Sequence, residues 1–194
     1  RVVSGVVSPS SGATSTVMTR AVRTLGALGV TPRTIARRPG SIRAVLRLAL
    51  DPRRIRDAHL IAHSGLFDAT YYLEHAPDVA ATGINPLAHF VLSGGAEGRS
   101  PHPLFDASWY LARYDDIRAS GMNPLAHYLR TASTEVRDPH PLFSSSFYRA
   151  MVPGITSDGP TPLQHYVTHG ALEQRSPHPL FDPDFYIEMY GHAI

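Results

Sequence analysis

The feature that most constrains this fold is a period of 38 residues, which runs without a gap through residues 64–194. Three full units cover 64–101, 102–139 and 140–177, and a partial fourth covers 178–194. The aromatic positions that recur in every unit are Phe67, Phe105, Phe143 and Phe181, and Tyr72, Tyr110, Tyr148 and Tyr186. A unit this short cannot bury an apolar face alone, so consecutive units are expected to stack on one another.

The first half of each unit has the pattern of a short capped helix. Asp68 stands just before the first aromatic pair and is predicted to cap the helix through a side-chain oxygen. The equivalent residues are Asp106, Ser144 and Asp182. A residue such as Pro77 then restarts or kinks the helix, and a recurrent glycine suits a left-handed C-terminal cap. These glycines are Gly83, Gly121 and Gly159.

The second half of each unit begins with a capping side chain followed by proline, which marks a helix start. These dipeptides are Asn85-Pro86, Asn123-Pro124 and Thr161-Pro162. Apolar residues then follow at the spacing of one helical face, and Gly94 or Gly170 ends the helix. The Pro-His-Pro tripeptide after it is predicted to be extended, because residues before proline avoid the helical region. The predicted fold class is therefore all-α, with tandem helix-turn-helix repeats that form a short α-solenoid or a helical bundle.

A basic segment precedes the repeats. Residues 1–14 lack periodicity and are predicted to be a linker, whereas residues 15–63 read as amphipathic helices. The last of these begins at Asp51-Pro52 and carries Ile55, Ala58 and Ile61. Residues 1–63 have a net charge of +9 and residues 64–194 a net charge of −7, so a charge boundary lies near residue 63.

Three interpretations of the basic segment remain open: a solvated face packed on a larger protein, attachment to an anionic membrane surface, and nucleic-acid binding. Residues 1–63 contain no aromatic side chain that would stack on bases, which disfavours nucleic acid. The candidate membrane or phosphate contacts are Arg43, Arg47, Arg53, Arg54 and Arg56. No stretch approaches 18 uncharged apolar residues, so no membrane span is predicted.

Six histidines recur with the period, in two sets. His89, His127 and His165 lie on the second helix, and His102, His140 and His178 lie in the connectors. The structural interpretation is that a ring nitrogen bonds a backbone carbonyl or the recurrent Glu or Arg. The alternative, a metal-binding histidine repeat, needs three or four converging ligands, and no third ligand is evident. No metal or cofactor is predicted. Surface salt bridges are predicted for Glu97–Arg99, Glu135–Arg137 and Glu173–Arg175.

The recurrent aromatic residues have two interpretations, a packed core and a groove on which sugars stack. The candidate groove residues are Tyr72, Trp109, Tyr110, Tyr148 and Tyr186. The sequence contains no Gly-rich phosphate loop, no G-x-S-x-G elbow and no H-E-x-x-H motif, so no catalytic set is predicted in this segment.

The unit resembles a repeat found in large bacterial proteins, many of them glycosyltransferases of surface-polysaccharide synthesis, in which such repeats flank the catalytic domain. The motifs that carry the resemblance are Phe67-Asp68, Tyr71-Tyr72-Leu73, Asn85-Pro86-Leu87, Glu97-Gly98-Arg99 and Pro101-His102-Pro103 with their equivalents. None of that family's catalytic residues has a counterpart here.

The resemblance implies a non-catalytic repeat module of a larger envelope-polysaccharide protein, located in the cytoplasm at the inner face of the membrane. Its partner would be the catalytic domain of the same parent protein, another protein or a glycan. The alternatives are a membrane-surface adaptor that acts through the basic helices, and a metal-binding repeat.

Overall fold

The computed structural model of the protein describes residues 51–156 and 159–190. Within these residues the chain is helical and has no β-strand, which confirms the all-α class. The helices are α1 (Pro52–Ala62), α2 (Ala69–Glu74), α3 (Pro77–Thr82), α4 (Pro86–His89), α5 (Ala107–Arg113), α6 (Asp115–Ser120), α7 (Pro124–Thr131), α8 (Ser145–Met151), α9 (Pro162–His165) and α10 (Pro183–Tyr190). The predicted linker at 1–14, the helices predicted within 15–50, and Arg43 and Arg47 lie outside the described residues.

Side-chain caps start the helices where the sequence predicts them. Asp68 Oδ1 accepts hydrogen bonds from the backbone N–H groups of Thr70 and Tyr71. Asp106, Ser144 and Asp182 cap α5, α8 and α10 in the same way. Asn85, Asn123 and Thr161 cap α4, α7 and α9, each of which has proline at its start. These predictions are confirmed. The caps could be predicted from the sequence because each depends only on residues a few positions apart.

The third unit departs from the other two between α8 and α9. Residues 153 and 154 form a turn there and residues 155 and 156 belong to no helix, whereas the first two units have α3 and α6 at the equivalent place. Gly154 replaces Asp78 and Asp116, and glycine is a poor helix former that also removes an acidic side chain from the first turn. Gly83 and Gly121 adopt the predicted left-handed cap at φ 65° and 66°, whereas the residues before Gly159 lie outside the described ranges and its predicted cap stays a prediction.

The second helices of the first and third units end in a π-helical turn, at Phe90–Gly94 and Tyr166–Gly170. Each turn is closed by a bond across five residues, such as that from Gly95 N–H to Phe90 O at 2.8 Å. In the second unit the helix stays α-helical, and Ala132 occupies the position of Gly94. A Cβ placed on Gly94 would lie 2.0 Å from the Tyr72 hydroxyl oxygen. Glycine therefore lets the backbone approach the buried tyrosine in the first and third units.

Replacement of Gly94 with alanine is expected to lower the free energy of unfolding by about 1–3 kcal/mol, the usual range for overpacking a filled site. The added methyl group would overlap the hydroxyl of Tyr72, which is held in the core. Urea denaturation measures the change. Gly154→Ala is the matched control, because nothing lies within 4 Å of the added Cβ and Gly154 has no positive φ. Equal midpoints for the two variants would contradict the steric explanation.

The hydrophobic core runs through the three full units and includes α1. Tyr72, Tyr110 and Tyr148 are buried within it, and the apolar face of α1 contributes Ala58 and Ile61. The segment from α1 to Ser64 touches every full unit: Arg54 Nη1 donates to Leu92 O, Asp57 pairs with Arg130, and Ser64 O accepts from Gln164 Nε2 at 3.0 Å. The last helix of the basic segment is thus packed on the repeats. The arrangement of the units as a solenoid or a bundle stays a prediction.

Candidate functional site

A tyrosine and a histidine join the two halves of each full unit. The Tyr72 hydroxyl and His89 Nδ1 are 2.8 Å apart, and the tyrosine lies on the first helix while the histidine lies on the second. The equivalent pairs are Tyr110–His127 at 3.0 Å and Tyr148–His165 at 2.9 Å. The tyrosine and the histidine of each pair are 17 positions apart in the sequence. The same polar contact therefore fixes how the first helix packs on the second in each of the three full units.

Burial favours the neutral forms of His89, His127 and the three paired tyrosines. It lowers the pKa of His89 and of His127 below the ordinary value of 6.5, because the charged imidazolium is poorly solvated there. Burial also raises the pKa of Tyr72 and Tyr110, and that of Tyr148 to about 12. A neutral hydroxyl can therefore donate to an unprotonated Nδ1. Such a pair is suited to hold the two helices of a unit together.

The connector histidines hold a turn. His102 Nδ1 accepts a hydrogen bond from the backbone N–H of Leu104 at 3.1 Å, and His102 O accepts from Phe105 N–H at 3.0 Å. The same contacts recur around His140 and His178. The Nδ1 atoms of the recurrent histidines contact an amide N–H or a tyrosine hydroxyl, so the predicted carbonyl, Glu or Arg partner is wrong for this ring nitrogen.

The connector is a turn and is extended only in part. His102 pairs with Phe105 in an isolated antiparallel bridge, and His140 pairs with Phe143 in the same way. The prolines restrict the residues before them to extended backbone, as predicted, but they also favour the tight turn that follows. Just before this turn the chain has returned to the start of the unit, where Pro101 O accepts a hydrogen bond from Asp68 N–H at 2.9 Å.

The recurrent arginines form the predicted salt bridges and an additional one. Arg99 donates to Glu97 at 2.7 Å and to both carboxylate oxygens of Asp78 at 2.7 and 2.8 Å. Arg137 makes the same contacts with Glu135 and Asp116. The predicted pairs are confirmed, whereas sequence reasoning missed the two aspartates 21 residues upstream. Their recurrence at the second position of α3 and α6 was the available signal.

The carboxylates of Asp78 and Asp116 are 62% and 59% exposed, whereas the side chains of Arg99 and Arg137 are 31% and 19% exposed, so solvent screens these bidentate pairs only in part. The hydrogen bond from Arg99 lowers the pKa of Asp78, and that from Arg137 lowers the pKa of Asp116. Both carboxylates are therefore charged at neutral pH and are engaged by guanidinium groups. Gly154 removes the aspartate from the third unit, where Arg175 pairs with Glu173.

The candidate groove residues divide between the core and the surface. Tyr72, Tyr110 and Tyr148 are at most 1% exposed, so protein atoms cover their ring faces in this structure. Trp109 is half-buried and packs edge-on against a tyrosine, and Tyr186 is 48% exposed. Adjacent helical residues point about 100° apart, so only one member of each aromatic pair can face inward. Glycan stacking on the candidate groove residues stays a prediction.

The described candidate arginines lie on α1 with their side chains exposed. Arg54 contacts Leu92 O and Asp51, whereas Arg53 and Arg56 form no ion pair with any residue in 51–156 or 159–190. Membrane contact through these residues stays a prediction. Among the described helices, none combines the length and apolarity needed to cross a bilayer. The same part of the chain holds no group of three or more His, Asp or Glu side chains that could bind a metal ion.

Comparison of the sequence with protein-family models and with curated proteins, and of the fold with solved structures, gave no significant match. The contacts within the chain are therefore the basis for assigning a function.

Proposed function

We propose that this chain is a non-catalytic helical repeat module that positions a neighbouring catalytic domain or binds a protein partner. The observation that supports this is the role of the recurrent polar side chains. The Tyr–His pairs, the connector histidines, the capping aspartates and the Arg–Glu pairs each have the same structural partner in successive units. Side chains that stabilise a repeated scaffold recur in every repeat, whereas a catalytic constellation is usually unique within a domain.

The setting that we propose follows from the resemblance of the repeat. The module would belong to a larger bacterial protein of envelope-polysaccharide synthesis, a glycosyltransferase, acting in the cytoplasm at the inner face of the membrane. In that setting the stacked units would serve as a spacer of fixed geometry. A scaffold of this kind contributes to catalysis by orientation, since it reduces the freedom that two partners lose when they meet.

An activity assay tests the proposal. The purified chain, supplied with radiolabelled UDP- and GDP-sugars and a divalent metal, is expected to show no hydrolysis or transfer above the buffer rate. The variant Asp116→Asn provides the comparison, because it removes an exposed carboxylate that is charged at neutral pH. Turnover by the parent chain that is lost in this variant would overturn the proposal and identify a reaction centre.

A further inference from the structure

The second helices of the second and third units begin with different caps. Asn123 Oδ1 accepts hydrogen bonds from the N–H of Leu125 and from that of the next residue, both at 3.1 Å. Thr161 stands at the equivalent position, and its Oγ1 accepts from the N–H three residues later, at 3.3 Å. The N–H of Leu163, which corresponds to that of Leu125, needs another acceptor, because Leu163 is fully buried and an unpaired N–H at a buried helix start is costly.

This acceptor comes from the preceding unit. The hydroxyl oxygen of Tyr128, on the second helix of the second unit, accepts from Leu163 N–H at 3.2 Å, and Tyr128 is fully buried. The equivalent residue of the first unit is Phe90, which has no hydroxyl. There the bond between units runs the other way, because Asn123 Nδ2 donates to Phe90 O at 3.1 Å. The residue that caps a second helix is therefore bonded to the aromatic residue of the unit before it, or shares its work with that residue.

The C-terminal end of the second helix shows another exchange of partners. In the first and third units, Gly94 O and Gly170 O each accept from the backbone N–H of the arginine five residues later, at 2.9 Å. Ala132 occupies this position in the second unit, where the N–H of the corresponding arginine bonds a nearer carbonyl. Ala132 O accepts instead from the guanidinium group of Arg149, which belongs to the third unit. The equivalent of Arg149 in the second unit is Leu111, so this bond is particular to the second junction.

The residues that differ between the two junctions change together. The junction of the first and second units has Phe90, Ala107, Leu111 and Asn123, and the equivalent residues of the next junction are Tyr128, Ser145, Arg149 and Thr161. Burial raises the pKa of Tyr128, whereas hydrogen bonds with the Leu163 N–H and with the side chains of Thr161 and Ser145 lower it. The added hydroxyl of the tyrosine is therefore surrounded by added polar groups, and the phenylalanine by apolar ones.

Units that share one period can pair in the wrong order, because each of them offers a similar apolar face. Buried polar groups oppose such errors, since a wrong neighbour leaves a donor or an acceptor unsatisfied. If Phe90 packed against the third unit, Leu163 N–H would have no hydroxyl to bond. If Tyr128 packed against Asn123, its hydroxyl would meet an N–H group that Asn123 already bonds.

We propose that two matched pairs, Phe90–Asn123 and Tyr128–Thr161, specify which unit stacks on which. Each pair completes the hydrogen bonds of one second-helix start, and an exchanged partner leaves that start incomplete. Arg149 adds a second bond that only the third unit can supply to the second. The inference goes beyond the proposed function, because it concerns how the chain keeps its units in one order whether or not it positions a catalytic domain.

A double-substitution cycle on the second junction tests the proposal in the full chain. Tyr128→Phe removes the acceptor of Leu163 N–H, and Thr161→Asn places an amide group against the Tyr128 hydroxyl. We expect each single change to lower the Tm by about 2–4 °C. The double variant reproduces the Phe–Asn pair and is expected to recover about half of the summed loss or more. Amide hydrogen exchange reports on the pair itself, since Leu163 N–H should exchange faster in Tyr128→Phe and regain protection in the double variant.

Phe90→Tyr combined with Thr161→Asn is the unmatched control, because its two changes lie at different junctions and their losses should add. Losses that add in the matched cycle as well would overturn the proposal, and so would unchanged protection of Leu163 N–H in Tyr128→Phe. If Tyr128→Phe does not fold, recovery of folding by Thr161→Asn supports the pairing and continued failure contradicts it. None of these measurements involves turnover of nucleotide sugars, so failure of the pairing is distinguishable from failure of the non-catalytic assignment.

Discussion

Replacement of Tyr110 with alanine is expected to lower the free energy of unfolding by about 3–5 kcal/mol, the range for truncating a buried aromatic side chain. Tyr110 has no exposed surface and lies at the centre of the array. Its ring centroid is 5.4 Å from that of Phe105 and 4.7 Å from that of Tyr114. The substitution would leave a cavity among these rings and remove the hydroxyl that bonds His127.

Two further variants separate the contributions to this loss. Tyr110→Phe keeps the ring and removes only the hydroxyl, so we expect a loss of about 1–2 kcal/mol from an unsatisfied His127. Tyr186→Ala makes the same change at the equivalent position of the fourth unit. Since Tyr186 is 48% exposed, we expect that variant to lose less than about 1 kcal/mol. Urea denaturation of the three variants decides the matter, and equal losses at Tyr110 and Tyr186 would contradict the core described above.

The helix starts were predictable because each is encoded within a few residues. An aspartate, serine or asparagine that caps a helix needs only the N–H groups two or three positions later, as for Asp68. The third unit shows the limit of this reasoning. Gly154 stands where the first two units have Asp78 and Asp116, and residues 153–156 belong to no helix.

Contacts between distant residues were less predictable. The register that brings Tyr72 to His89 depends on how two short helices pack, and the period shows only that both residues recur. The same limitation applies to the aromatic pair. Tyr71 and Tyr72 are both tyrosine, yet Tyr72 is buried and Tyr71 is half-buried. The period identified which residues recur. Whether a recurrent residue forms a contact within the scaffold or lies at the surface depends on how the helices pack.

The exposure of individual side chains was not predicted either, because exposure depends on the residues that pack next to a side chain. Phe181 and Phe143 occupy the same position of the period, yet one is 39% and the other 1% exposed. Only the packed neighbours distinguish them.

Acidification from about pH 7.5 to about pH 5.5 is expected to destabilise the fold progressively through its histidines. Burial lowers the pKa of His89, His127, His102 and His140 below 6.5 in the folded chain. Below about pH 6.5 the unfolded chain binds protons that the folded chain does not, so the free energy of unfolding falls with pH. Each such histidine contributes at most about 1.4 kcal/mol per pH unit, and the half-exposed ones contribute less.

Neighbouring charges act on the histidine pKa in both directions. Glu97 and Asp78 raise the pKa of His89, whereas Arg99 lowers it, so burial remains the largest cause. The arginine-bound carboxylates of Asp78 and Asp116 have lowered pKa values and stay charged above about pH 4. Their contribution to stability is therefore lost only in more acidic solution, below the window in which the histidines titrate.

Urea denaturation at about pH 7.5, 6.5 and 5.5 measures this slope, and repetition at about 0.5 M salt separates it from general charge repulsion, which salt screens. His127→Gln is expected to reduce the slope, because one proton-binding site is removed from the unfolded chain while the helix is retained. His127 is the best choice, since it is only 6% exposed and its ring bonds Tyr110. A free energy of unfolding that is unchanged or higher at the acidic end would show that the Tyr–His pairs accept protons without separating the two helices.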